Sequence, residues 1–336
     1  MSDLVPVTLL TGFLGAGKTS LLNRLIADPR LSDALVLINE FGEIGLDHDL
    51  VQTVSGEMLV MASGCLCCTI KADLVRELAT RYLERKRGAI AFGRVVIETT
   101  GLADPAPILH ALMSDALLAQ SYRLDGVVTV VDAVNGAASL DQQPEAAKQA
   151  AVADRIVLTK TDLADPATTD ALTARLKRLN PAAPILTPAE AGPDQLFNVG
   201  LYNPATKHID VAGWLAAEAY AHDHHHHHHD VNRHDARISA TCITLTDPVP
   251  WDAFALWAES LAMHRGDQVL RLKAIIHAVG EDQPIAVHGV QHLYHPPARL
   301  PAGTATGGVS RIVVIARDLD PAAIRQSLID ALAAAR

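Results

Sequence analysis

The stretch Thr11-Gly12-Phe13-Leu14-Gly15-Ala16-Gly17-Lys18-Thr19 sets three glycines, a lysine and a hydroxyl in the pattern G-x-x-x-x-G-K-T. Glycines at those positions let successive N–H groups converge on phosphate oxygens. Lys18 can reach the β- and γ-phosphates, and the Thr19 hydroxyl can ligate Mg²⁺. The flanks agree: Leu4 to Leu10 is a short apolar run that fits a buried strand, while Leu21, Leu22, Leu25 and Ile26 recur at helical spacing. A helix N-terminus after such a loop adds free amides and partial positive charge. Gly12, Gly15, Ala16, Gly17, Lys18, Thr19 and Ser20 are therefore the candidate nucleotide site, and Lys18 a candidate catalytic residue.

A second constellation is soft. Three of the four cysteines, Cys65, Cys67 and Cys68, crowd into Ser63-Gly64-Cys65-Leu66-Cys67-Cys68-Thr69, just before a helix expected from about Lys71 to Lys86. Thiols at a helix start are acidified toward thiolate, the metal-binding form, and thiolates suit zinc or copper(I) and, with mixed partners, cobalt or nickel. A Cys65/Cys68 redox pair and plain buried cysteines are the competing readings. Zinc sites usually want a fourth ligand. Glu43 is the nearest candidate, in the acidic loop Asn39 to Asp49 that follows the apolar run Ala34 to Ile38.

Two strand ends complete the nucleotide chemistry. Arg94 to Gly101 reads as a buried strand closing on Glu98 and a glycine turn, where Glu98 could act through Mg²⁺ and the Gly101 amide could meet the terminal phosphate. Asp154 to Asp162 is another strand, ending in Thr159-Lys160-Thr161-Asp162. A carboxylate placed like Asp162 accepts two hydrogen bonds that guanine offers and adenine does not. Lys160 can lay its methylene stem on the ring.

These residues need a scaffold. A chain of 336 residues exceeds the usual single-core size, so about two domains are expected. A formal charge of −10 argues against nucleic acid or an anionic membrane as partner. No run of about 18 uncharged apolar residues exists to span a bilayer, and the phosphate-loop glycines interrupt any signal-type apolar core, so a cytoplasmic location is expected. Sparse, clustered cysteines give no disulfide framework. Further apolar runs, Gly126 to Asp132 and Pro184 to Thr187, bring the first part to an α/β P-loop NTPase with a mostly parallel sheet, residues 1–205.

Nine of the sixteen histidines fall between His208 and His234, with His222, His224, His225, His226, His227, His228 and His229 interrupted only by Asp223. Such a tract has no apolar face and reads as a flexible linker over 206–236 that captures Zn²⁺, Ni²⁺, Co²⁺ or Cu²⁺; a tag or an inert spacer is the bland alternative. From Arg237 to the end, 237–336, strands at Ile238–Leu245, Leu270–Val279, Ile285–Tyr294 and Arg311–Ala316 alternate with helices at Asp252–His264 and after Asp320-Pro321, a small α+β domain.

The motifs G-F-L-G-A-G-K-T, N-E-F-G-E, G-C-L-C-C, E-T-T-G-L-A-D-P, V-D-A-V and T-K-T-D, in this order, closely resemble the CobW-like metal-chaperone GTPases, relatives of the urease and hydrogenase nickel-insertion GTPases. The resemblance implies a slow, switch-like GTPase whose Cys65, Cys67 and Cys68 bind a transition metal, zinc foremost, with cobalt or nickel possible, for delivery to a client protein. It implies that Glu98 to Gly101 sense the terminal phosphate, that Lys160 and Asp162 read guanine, and that Glu43 sits where relatives have a metal-binding carboxylate. Two departures stand out. Thr159 replaces the Asn of many GTPases, and Ile38 occupies a position where some relatives carry a further metal-binding glutamate. A nucleotide-independent metal store or sensor, and a P-loop kinase or ATPase, remain the other classes.

Overall fold

The structure, a computed structural model, describes residues 4–41, 58–63, 67–199, 237–301 and 307–335, with the backbone alone for 39–41, 58–63 and 67–71. They fall into two compact units, the first drawn from residues 1–139, 153–172 and 185–200 and the second from 140–152, 173–184 and 201–336. Glu43, Cys65 and the whole tract His222 to His229 lie outside the described residues.

Continuous apolar runs, rather than alternating ones, mark strands buried on both faces. Seven of them form one sheet: β1 (Val5–Thr11), β2 (Ala34–Phe41), β3 (Met58–Ser63), β4 (Arg94–Glu98), β5 (Tyr122–Asp132), β6 (Arg155–Thr159) and β7 (Ile185–Leu186). Their order is β3-β2-β4-β1-β5-β6-β7, and all neighbours are parallel. Register lays Leu10 beside Glu98 and Asp132 beside Thr159, so the chemistry-bearing ends of β1, β4, β5 and β6 share one edge. Parallel sheets gather ligands at that carboxyl edge.

The sequence reading assigned no strand to Met58-Leu59-Val60-Met61. The segment pairs with β2 from Val36↔Met58 to Phe41↔Ser63 and becomes the outermost strand. Helix starts also shift. The helix expected from Lys71 begins at Cys67, so Cys67 and Cys68 are its first two residues, where dipole and unpaired amides act most strongly. Its inward face is as expected, with Leu74 and Leu78 buried. Ile38 is packed into the core of the first unit.

The opposite edge of the sheet is held by a buried carboxylate. Asp125 on β5 accepts from the Thr8 hydroxyl at 3.2 Å, from the Asn198 N–H at 2.7 Å and from Arg123 at 3.4 Å. Arg94 lies 3.7 Å from the same carboxylate, with its guanidinium 4.7 Å from the centre of the Phe197 ring. Burial pulls the Arg94 pKa below its ordinary value even with Asp125 and Asp33 opposing that pull. The arrangement pins residues 197–199, the last described before the His-rich segment, onto the first unit.

The second unit carries an antiparallel sheet of β8 (Ile238–Leu245), β9 (Val269–Ile276), β10 (Ile285–Val290), β11 (Leu293–Tyr294) and β13 (Ser310–Arg317), in the order β11-β10-β9-β13-β8, with β12 (Ala298–Arg299) paired to β10. Helices Trp251–Arg265 and Pro321–Ala334 bury Phe254, Trp257, Ile324 and Leu328 against it. Asp320 caps the second helix by accepting from the Ala322 N–H. The run Ile285–Tyr294, expected as one strand, is a hairpin: Gln291 takes a left-handed φ of 53° in a turn whose two linking residues, Gln291 and His292, are neither Gly nor Pro. Gly266 ends its helix without a left-handed residue, at φ −56°. A Cβ there would lie 2.0 Å from His292 Nδ1, so its smallness seats His292, which bridges the Ala262 carbonyl and Asp267. No helix among the described residues is long and apolar enough to cross a membrane.

Asp125→Ala takes the nearest carboxylate from the part-buried Arg94 guanidinium and removes the acceptor that holds the Asn198 N–H. It is expected to cost about 3 kcal/mol, read as a lowered urea midpoint for the first unit.

Candidate nucleotide site

The phosphate loop follows β1 directly. Gly12 has φ 140°, and a Cβ on it would lie 2.2 Å from the Val130 carbonyl oxygen, so no other residue fits against β5. Gly17, at φ 93°, is the N-cap of the helix Lys18–Ile26. Lys18 is buried and donates to the Phe13 carbonyl at 3.3 Å, folding its ammonium back over the loop as the phosphate role requires. Ala16 is buried while Ser20 is exposed on the first turn.

The Thr19 hydroxyl donates to Glu98 Oε1 at 2.8 Å, and Glu98 is only 5% exposed. A hydroxyl and a carboxylate brought together beside a phosphate loop are hard oxygen donors of the kind Mg²⁺ takes. The fit is therefore good: Thr19 would ligate the ion and Glu98 would act on it directly or through its water. Beyond Glu98, the Thr99 N–H donates to the Leu10 carbonyl at 2.9 Å and the Thr99 hydroxyl donates to that of Thr11 at 2.8 Å. Gly101 then passes so close to the loop that a Cβ would fall 2.5 Å from the Leu14 nitrogen. The expected terminal-phosphate sensor and the phosphate loop are thus in contact.

The β6 end completes the enclosure. Thr159 donates its hydroxyl to the Ala16 carbonyl at 2.7 Å. Lys160, held at a left-handed φ of 56°, donates to the Gly15 carbonyl at 2.8 Å and to Asp132 Oδ2 at 2.6 Å. Asp162 is exposed in the turn closed by the Leu163 N–H on the Lys160 carbonyl, 3.1 Å. Two residues escaped the sequence reading. Thr159 was noted only as a missing Asn, although its place after a buried strand in T-K-T-D was the available signal. Asp132 stood in the V-D-A-V motif with no role assigned. Burial works to raise the Asp132 pKa, but hydrogen bonds from Lys160, Asn135 and the Val134 and Asn135 amides outweigh it and hold the carboxyl below its ordinary value.

The thiol side of the expected site is placed only by backbone. Cys67 and Cys68 open the helix that follows β3, three strands from β1, or about 14 Å along the same edge. Among the described residues no group of three or more His, Cys, Asp or Glu gathers to hold a metal. The fourth cysteine, Cys242 on β8, is no substitute: burial raises its thiol pKa, with Arg325 only partly opposing the shift.

Gly101→Ala drives a methyl group into the Leu14 backbone. Affinity for a non-hydrolysable GTP analogue is expected to fall by about tenfold or more, measured by calorimetric titration.

Comparison with known proteins follows the same division of the chain. The nucleotide-binding domain model of CobW/HypB/UreG matches residues 6–187, and the cobalamin synthesis protein cobW C-terminal domain model matches residues 238–332. The zinc chaperone YjiA of Escherichia coli is 35% identical over 292 residues, 86% of this chain and 87% of that protein. The zinc chaperone CobW of Pseudomonas aeruginosa is 31% identical over an alignment of 366 positions, gaps included, that covers 98% of this chain and 92% of that protein. The crystal structure of Zn(II)-bound YjiA GTPase from E. coli superimposes with a TM-score of 0.66 at 30% identity, over 97% of this chain and 98% of that one. A Gly12-to-Thr19 loop tied to β6, a Glu98-to-Gly101 stretch against it and these matches over both units together make the chain a member of the CobW/HypB/UreG family.

Proposed function

We propose that this protein is a cytoplasmic zinc chaperone that binds its metal at Cys65, Cys67 and Cys68, with Glu43 as a further ligand, and releases it to a client protein under control of GTP. It is a GTPase of the CobW/YjiA family. The observation that carries the metal reading is topological. β3, β2, β4 and β1 are consecutive neighbours, so the helix opened by Cys67 and Cys68, the carboxyl end of β2 that Glu43 follows in sequence, Glu98 to Gly101 and the phosphate loop share one edge in that order.

Each step of the proposed cycle uses residues on that edge. The loop amides and Lys18 hold the phosphates, and Asp162 with Lys160 selects guanine. Mg²⁺, when bound, supplies charge neutralisation at the β- and γ-phosphates. Glu98 and Gly101 respond to the terminal phosphate, and β2 lies between β4 and β3, the strand that precedes the cysteine helix. With GTP bound, the Glu43 and cysteine segments close around the metal; hydrolysis loosens them. By linkage, metal and GTP then strengthen each other's binding equally. Residues 1–205 act as the GTPase domain, 206–236 as a linker whose histidines gather metal, and 237–336 as the client-facing domain. Zinc is favoured by what the relatives bind; cobalt and nickel suit the same donors.

The test is a zinc titration of protein lacking residues 222–229, with a GTP analogue and with GDP. Affinity should be higher with the analogue, and Cys65, Cys67 and Cys68 changed together to Ala should abolish this binding. Equal affinity in the two nucleotide states would favour a metal store instead, and undiminished affinity in the triple variant would remove the thiol site. In Lys18→Ala, zinc should still bind the thiols but with the same affinity whichever nucleotide is added.

A further inference from the structure

Asp132 is the buried carboxylate at the carboxyl end of β5, 6% exposed and register partner of Thr159. Its oxygens divide their work. Oδ1 accepts from the Val134 N–H at 2.8 Å and the Asn135 N–H at 3.3 Å, forming the turn that leads into the helix Gly136–Gln142. Oδ2 accepts from Asn135 Nδ2 at 3.0 Å and from Lys160 Nζ at 2.6 Å. The Lys160 ammonium also reaches the Gly15 carbonyl, and its backbone holds a left-handed conformation that costs a β-carbon residue roughly 1 kcal/mol or more. Something must offset that cost and choose one arrangement of a long, flexible side chain, and Asp132 is the charged group placed to do so.

We propose that Asp132 is a positioning residue for recognition of the nucleotide base: by fixing Lys160 it sets the Lys160-to-Leu163 turn so that the lysine stem and Asp162 present themselves together to guanine. The role rests on the reading of Lys160 and Asp162 as the guanine site. It adds a requirement which that reading lacks, a carboxylate on the neighbouring strand that never touches the base. Because Lys160 also holds Gly15, the same carboxylate keeps the base-reading turn in register with the phosphate loop.

Asp132→Asn separates this role from a structural one. The Asn carbonyl oxygen can still accept from the Val134 and Asn135 backbone amides, whereas its NH₂ can accept neither from Lys160 nor from Asn135 Nδ2. Dissociation constants for GDP and ADP are measured by calorimetry in wild type, Asp132→Asn, Lys160→Ala and the double variant, with urea midpoints as a check on folding. The expected result is GDP binding weaker by about tenfold in Asp132→Asn, a smaller GDP-over-ADP preference, a cooperative unfolding transition that leaves the variant fully folded in the binding buffer, and no further loss of GDP affinity when the change is added to Lys160→Ala. Wild-type affinity and preference in Asp132→Asn would overturn the role while leaving the guanine reading intact. Additive losses in the double variant would also overturn it, since Asp132 would then act independently of Lys160. A wild-type protein that binds GDP and ADP alike would overturn the guanine reading and this role with it. Asp162→Asn tests the former alone, by a switch of preference from GDP to xanthosine diphosphate.

Discussion

A phosphate loop works by turning its N–H groups inward, and the rest of the first unit depends on what then becomes of its carbonyls. They point away from the ligand and need donors of their own. Here adjacent residues of one strand end supply them: Thr159 donates to Ala16 and Lys160 to Gly15. Lys18 answers the Phe13 carbonyl from within the loop. The loop is therefore fastened from β6, two strands away from its own strand β1, with β5 between them. Base-reading and phosphate-holding parts, distant in sequence, share hydrogen bonds.

Those contacts explain why the nucleotide half was legible in the sequence. Each function sits within a residue or two of a strand end, and buried parallel strands announce themselves as unbroken apolar runs. Gly12, Lys18, Thr19, Glu98, Gly101 and Lys160 could be placed because a strand and a motif point to the same spot. Asp132 and Thr159 were harder. Their importance comes from a cross-strand register and from donor–acceptor pairs between residues 28 and 143 positions apart, which no local pattern encodes.

The misread elements have a common origin. β3 has the length of a strand but lacks β-branched residues apart from Val60, and only pairing with β2 makes it one. The β10–β11 turn relies on Gln291 in a conformation usually left to Gly or Asn. In each case tertiary contact overrides a local preference.

The hydrogen bond between Thr19 and Glu98 spends the proton of the hydroxyl and leaves its lone pairs free for a cation. It also fixes the rotation of that hydroxyl about its C–O bond, a contact worth about 1 kcal/mol. The end of β4 therefore aims an oxygen that belongs to the first turn of the loop helix, and a change at Glu98 reaches the ion-binding oxygen without touching the ion.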